Sequence, residues 1–218
     1  MALFDLSEVQ AAYNGTRVLQ NITLSIKAGE RIALVGRSGT GKSTLLRLLH
    51  SRKKEDIALV PQDLGLVKAL SVFHNVYMGR LNRNSSWYNV VNLIRPFRSE
   101  TKAVHAILEK LRLTDKMFVP VGELSGGQQQ RTAVARALYQ GRSVFLGDEP
   151  VSAVDVLQAR TVLKLIIENH ETTVLAMHDV ELAIQFSDRI IGISGGGIVL
   201  DKPSARIKPG DLDALYKH

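Results

Sequence analysis

Between Gly36 and Ser43 the chain reads GRSGTGKS, which meets the pattern G-x-x-x-x-G-K-[ST] at every fixed position. The pattern suits one kind of chemistry. Glycines let successive backbone N–H groups curl around phosphate oxygens, where a Cβ would block both the curl and the approach. Lys42 offers positive charge to β and γ phosphates, and the Ser43 hydroxyl can ligate Mg²⁺. The residues from Thr44-Leu45-Leu46 onward read as a helix whose positive N-terminal end would face the anion. Gly36, Arg37, Ser38, Gly39, Thr40, Gly41, Lys42, Ser43 and Thr44 are therefore the candidate phosphate-binding residues.

A phosphate loop of this kind works with an acid at the end of another buried strand. Ser143-Val144-Phe145-Leu146-Gly147-Asp148-Glu149 supplies two. Asp148 is the candidate metal ligand, held directly or through water, and Glu149 the candidate base that polarises a water for attack on a γ phosphate. Gly147 stands where a larger apolar residue would be expected, which predicts looser packing at that point of the strand. A third stretch, Leu124-Ser125-Gly126-Gly127-Gln128-Gln129-Gln130-Arg131, puts two glycines between a serine and three glutamines. Glycines carry no side-chain chemistry, so whatever binds here must approach the backbone.

The elements that must position these residues follow from periodicity. Apolar segments bounded by turn residues recur at 3–9, 22–26, 31–35, 57–60, 144–147, 173–177 and 189–193, and read as strands. Between several of them lie helical patterns; Ala103, Val104, Ile107, Leu108 and Leu111 share one helix face. Strands alternating with helices argue for a mainly parallel sheet covered on both sides, an α/β fold. From Ser71 to Gln140 no strand pattern occurs, so this part reads as a helical insertion. Tyr13-Asn14-Gly15-Thr16 reads as a hairpin turn, and Gly195-Gly196-Gly197 as a turn before a last strand at 198–200.

With 218 residues, 45% of them hydrophobic and 22% charged, the chain has the size of one domain spanning 1–218, with the helical subdomain at about 71–140. No apolar run reaches the length needed to cross a bilayer, and Asp5 and Glu8 stand where a signal peptide would be basic and then apolar. A chain of this kind is expected in the cytoplasm. The absence of cysteine excludes disulfides and thiolate metal sites. The net charge of +7 invites nucleic acid as a partner, but the basic residues are spread and only Arg52-Lys53-Lys54 forms a run, so a solvated surface is the simpler reading.

The phosphate loop and the acidic strand together fit many phosphate-loop nucleotidases. Leu124-Ser125-Gly126-Gly127-Gln128 narrows them, because it resembles the signature of ATP-binding cassette (ABC) ATPases and stands between the other two motifs, as in that family. The resemblance covers nearly the whole chain. It implies a phosphate-loop fold of ABC type, with a mainly parallel core sheet, a small antiparallel part and a helical subdomain, and it implies ATP and Mg²⁺. It also implies that Tyr13 stacks on adenine, that Gln62 contacts Mg²⁺ and water and links the nucleotide to the helical insertion, and that His178 bonds the γ phosphate. Asp155, in Ser152-Ala153-Val154-Asp155, resembles the acid of a loop that crosses to a partner subunit.

The family's head-to-tail dimer gives the signature a purpose. Ser125, Gly126, Gly127 and Gln128 cap the ATP held by the other subunit's phosphate loop, with a helix starting near Gln128 adding its positive end. Partners so implied are a second copy or a paired nucleotide-binding subunit, integral membrane permease subunits and, indirectly, a solute-binding protein, on the inner face of the cell membrane. Nucleic acid is not expected. Met78-Gly79-Arg80-Leu81-Asn82-Arg83-Asn84-Ser85-Ser86-Trp87 resembles a stretch of phosphonate-type importers. The competing reading is a soluble ABC ATPase acting on nucleic acid or ribosomes, which would usually show tandem cassettes or coiled-coil insertions.

One departure stands out. Only eighteen residues separate Ser43 from Gln62, and the segment His50 to Asp56 is short and charged, where family members carry a longer stretch with a β hairpin. The small antiparallel part is therefore expected to be trimmed, weakening the wall opposite Tyr13, while hydrolysis survives.

Overall fold

Alternation along the strands decides the architecture. In the computed structural model, which describes residues 2–13 and 16–216, β3 (Arg31–Val35), β5 (Val144–Asp148) and β6 (Thr172–Ala176) are buried almost throughout, as strands covered on both faces must be. Ile32, Leu34, Leu146 and Val174 point into one apolar cluster, and Ala33, Val35, Phe145 and Leu175 into the other. The sheet therefore separates two cores.

The first core is closed by α1 (Lys42–Arg52), through Leu45, Leu46 and Leu49, and by the antiparallel pair β1 (Ala2–Tyr13) and β2 (Thr16–Lys27). The second is closed by α2 (Val72–Tyr77), α4 (Arg98–Lys110), α5 (Gly126–Gln140), α6 (Val156–Asn169) and α7 (Val180–Phe186). Helix α3 (Ser86–Ile94) lies between α2 and α4 in sequence, and α8 (Pro209–Tyr216) ends the described chain. With β4 (Ile57–Val60), β7 (Arg189–Ser194) and β8 (Gly197–Pro203), the main sheet has the order β4-β5-β6-β3-β7-β8, parallel except for the last pair.

Most strand expectations hold to within a few residues, and among the described residues none of the strands falls between Ser71 and Gln140. β1 and β2 meet through Tyr13 and Thr16, but Asn14 and Gly15, the turn itself, lie outside the described residues. The side chain of Tyr13, the expected adenine platform, lies outside them too. The trimmed segment is visible: α1 ends at Arg52 and β4 begins at Ile57, with one short 3-10 turn over Lys54–Asp56 between them. The separate antiparallel sheet among the described residues is the β1–β2 pair.

Gly147 corrects an expectation. A Cβ built on it would stand 2.8 Å from the Phe145 ring, 3.0 Å from Pro150 and 3.1 Å from Leu175. Neighbouring side chains already fill the space, so the strand is tight there.

Candidate nucleotide site

The phosphate loop is a strand-to-helix turn fixed by packing. Gly41 is the residue before α1 and has φ 111°, and a Cβ on it would come within 2.5 Å of Leu19. No side chain caps α1, so its first N–H groups face the loop. Lys42 is buried, and its Nζ donates to the carbonyls of Gly36 at 2.7 Å and Arg37 at 2.9 Å. Two of its three donor directions are thus engaged within the loop, and one is left for a ligand. Burial lowers the Lys42 pKa, against the nearby carboxylates of Glu149 and Asp148, which raise it.

Asp148 ends β5 almost fully buried and accepts a hydrogen bond from the Ser43 side chain. Burial raises its pKa; the Ser43 hydrogen bond and the positive charges of Lys42 and Arg47 act the other way. Glu149 follows with φ 55°, an unusual conformation for a residue with a side chain, and its N–H donates to Ala176 at 3.0 Å. That turn directs its carboxylate to His178, whose Nε2 lies 2.5 Å from Oε1. The two residues expected to act on attacking water and on γ phosphate are therefore bonded to one another.

Gly39, Gly41, Lys42, Ser43, Gln62 and Glu149 all line one cleft of about 370 Å³. Val18 and Arg47 line it as well, and sequence reasoning missed both. Arg47 lies five positions after Lys42 on the same helix, a spacing that the motif does not encode.

Ser125, Gly126, Gly127 and Gln128 are not among the residues lining that cleft. Ser125 caps α5: its Oγ accepts from the Gln128 N–H, and the Gln128 Oε1 accepts from the Ser125 N–H. The helix thus starts at Gly126, two residues before the expected place, and Ser125 and Gly126 are exposed. The two glycines have different internal surroundings. A Cβ on Gly127 would stand 2.7 Å from the Ala153 carbonyl oxygen, whereas one on Gly126 would find only the Ala153 Cβ at 3.8 Å.

A further residue ties the pieces together. Gln130, on α5 and almost fully buried, donates through Nε2 to the Glu149 carbonyl at 2.6 Å and to Ser152 Oγ at 3.1 Å, and accepts from the Ala153 N–H at 2.8 Å. Asp155 closes the same loop by capping α6 through the Gln158 N–H at 3.0 Å. Three consecutive glutamines disguised this role, since the sequence does not say which one turns inward.

The donor set fits a magnesium nucleotide. One hydroxyl and one carboxylate already in contact, beside a loop that leaves room for phosphates, match the way Mg²⁺ is usually held, by one or two protein oxygens plus phosphate and water. No group of three or more His, Cys, Asp or Glu suited to a dedicated metal site occurs among the described residues.

Comparisons with known proteins identify the family. Residues 19–152 match the model of a family described as ABC transporter. Over 244 aligned positions the chain is 36% identical to the phosphonates import ATP-binding protein PhnC of Lactobacillus johnsonii, covering 98% of this chain and 95% of that one. It is 38% identical to a PhnC of Pseudomonas syringae pv. tomato, covering 93% of this chain and 87% of that one. Among solved structures, a dimeric ATP-binding cassette in a post-hydrolysis state bound to ADP and Pi matches with TM-score 0.75 and 26% identity, over 92% of this chain and 98% of that one. An inward-facing ABC transporter of putative metal-chelate type matches with TM-score 0.79 and 25% identity, over 97% of this chain and 88% of that one. The 244 aligned positions exceed the 218 residues of this chain, so the Lactobacillus relative carries residues that this one lacks.

Proposed function

We propose, from the premise that the chain belongs to the ABC transporter family and is an ATPase subunit whose hydrolysis is coupled to transport, that it powers import of a phosphonate or related anion. The observation that carries the ATPase part of the reading is the convergence of the phosphate loop, Gln62 and Glu149 on one cleft, with the signature stretch turned elsewhere. Such a chain holds a catalytic half and a capping half that cannot meet within one molecule.

ATP enters as substrate. Its β and γ phosphates lie on the backbone N–H groups of Gly36–Ser43 and the start of α1, and Lys42 turns its free donor to them. Ser43 and Asp148 would hold Mg²⁺, with Gln62 on its water side, and the bound ion would supply positive charge against the charge that develops on the phosphates. Glu149 orients a water in line with the γ phosphorus. As the water oxygen bonds to phosphorus, the bond to the bridging oxygen breaks, ADP leaves, and the water's proton passes toward Glu149. His178 holds the Glu149 carboxylate and stands next to the place of the γ phosphate. Tyr13 is the adenine platform in this reading, with the trimmed segment leaving the opposite wall lower.

In a head-to-tail dimer the Ser125 hydroxyl, the N–H groups of Gly126 and Gly127 and the side-chain amide of Gln128 close over the partner's γ phosphate, and each dimer holds two composite sites. ATP then favours the closed pair and hydrolysis releases it. A cleft of about 630 Å³, whose lining includes Pro61, Met78, Gly79, Leu81, Asn82 and Arg136, suits a permease segment. No helix among the described residues is long and apolar enough to cross a membrane; in this reading permease subunits supply the path.

The stretch from Met78 to Trp87 has structural duties: Arg80 Nε donates to the Tyr139 carbonyl, and Arg83 donates to Gln140 at 2.7 Å, both at the end of α5. Support for phosphonate therefore comes from the names of the relatives and not from these side chains. The test is ATPase activity of the chain reconstituted with its permease, with and without binding protein loaded with a phosphonate. Stimulation by phosphonate is expected. Full turnover by the isolated chain, unchanged by permease, would overturn the transport role, and stimulation by a different solute alone would overturn phosphonate.

A further inference from the structure

Helix α3 is amphipathic the wrong way round. At 100° per residue, Trp87, Val90, Leu93 and Ile94 fall within about 120° of its circumference. All four are exposed, Trp87 at 77% and Ile94 at 81%. The polar residues face inward. Asn92 is fully buried and accepts from the Phe97 N–H at 2.8 Å, while Asn89 accepts from the Tyr77 hydroxyl at 2.7 Å and donates to the Leu81 carbonyl at 3.0 Å. Tyr88, also turned inward, stacks on Phe97 with ring centroids 4.5 Å apart. The helix is anchored by its polar side, so its apolar side is free for a surface outside the chain.

Charge identifies that surface. Basic residues are scattered along the sequence, but acidic ones are not: between Leu64 and Leu108 there are six Lys or Arg and one acid, Glu100. That stretch carries +5 of the chain's +7. Glu100 does not offset it outward, because its carboxylate accepts hydrogen bonds from the hydroxyls of Tyr88 and Tyr139 inside the subdomain. Lys68, Arg83, Arg95, Arg98 and Lys102 are exposed.

We infer that α3 lies on the anionic surface of a lipid bilayer, with Trp87, Val90 and Ile94 in the headgroup boundary and Arg95 and Arg98 among lipid phosphates. An exposed apolar stripe bordered by arginine, with tryptophan at its start, is the pattern of helices that lie in a membrane interface. Basic residues near an anionic leaflet are attracted to it, so five exposed ones with no outward-facing acid among them favour lipid over a neutral partner. The inference concerns the chain's own contact with lipid and holds for any transported solute.

Trp87 is the only tryptophan, so its fluorescence reports this contact directly. The experiment mixes the full-length protein, with and without ATP, with vesicles of phosphatidylglycerol or of phosphatidylcholine, and adds brominated lipid as a quencher. The expected result is a blue shift and quenching on phosphatidylglycerol, weaker on phosphatidylcholine and reduced by salt. Ile94→Ser should lower partitioning on the order of tenfold, as loss of one buried isoleucine implies. Arg95→Glu should do so on the order of tenfold as well, through charge alone. Both positions are exposed, so folding is not at stake. Emission unchanged on phosphatidylglycerol vesicles would overturn the inference. So would a shift seen only on adding detergent-solubilised permease, which would assign the stripe to protein.

Discussion

The phosphate loop and the signature stretch differ in what holds them. The first is fixed by the core: Lys42 is buried against the carbonyls of Gly36 and Arg37, and the helix behind it packs against β1 and β2. The second is fixed by its own side chains, through the reciprocal hydrogen bonds of Ser125 and Gln128, and stands exposed. The first half has acids and a base within reach; the second offers donors only. In the proposed dimer, a surface of preformed donors facing outward suits a cap and supplies no base of its own. Gln130 joins the halves, since it anchors the signature helix to the Glu149 carbonyl and to the loop that follows.

The largest effect expected in either half is that of Glu149→Gln. It removes the proposed base and keeps the shape, so turnover should fall by roughly 10²- to 10⁴-fold while ATP still binds and the ATP-bound dimer persists longer. Single-turnover hydrolysis and size-exclusion chromatography with ATP check both parts. Near-normal hydrolysis would take Glu149 out of its role and erase the distinction between the halves.

Ser125→Arg tests whether the cap acts across the interface. Uniform mutant dimers should lose hydrolysis while each chain still binds ATP. Mixed dimers with one intact signature should lose one composite site and keep the other. If the defect instead followed the mutant chain's own nucleotide, labelled by a second substitution in its phosphate loop, the cap would act in cis.

The two adjacent glycines sharpen the comparison further. Gly127→Ala places a methyl 2.7 Å from a carbonyl oxygen of the chain itself, so it should cost roughly 1–3 kcal/mol of stability by overpacking. Gly126→Ala meets nothing closer than 3.8 Å and should leave stability within about 1 kcal/mol, where helix propensity acts. Its effect should fall on ATP-driven dimerisation. Thermal unfolding and dimer formation, measured side by side, separate the internal role from the external one.

How much of this was legible depended on how local the cause was. GRSGTGKS and the acids after β5 specify backbone turns within a few residues, and the parallel strands between them declare themselves by runs of apolar residues. Gln130 was not legible, because only the packed helix selects it from three identical neighbours. The tightness at Gly147 is likewise set by Phe145, Pro150 and Leu175, which the chain brings in from either side and from the next strand. In α3 the periodicity reveals a stripe but not its direction, and the inward anchoring of buried Asn92 and half-buried Asn89 turns it outward. The concentration of charge in the helical subdomain does not show in the even spread of basic residues, because the local scarcity of acids creates it.

The smallest expected effect concerns the floor of the phosphate half. His170 follows α6, buried against Phe145 of β5 at 4.9 Å between ring centroids, and its Nδ1–H donates to the Ile166 carbonyl at 2.7 Å. Nε2 is buried without a partner among the described residues, so a second proton there has no acceptor among them. Burial is the main cause that holds its pKa below the ordinary histidine value of 6.5, with the Ile166 bond opposing it. In the window below 6.5 and above the lowered native value, the unfolded chain binds a proton that the native one refuses, so stability falls as the pH falls through that window and is full above it. His170→Phe should flatten this slope while leaving neutral-pH hydrolysis in place, as denaturant unfolding at stepped pH would record. An unchanged slope would assign the acid sensitivity to other groups. A lost slope with intact signature-dependent dimerisation would show that the sheet under Asp148 and Glu149, and not the exposed cap, is the half that acid loosens.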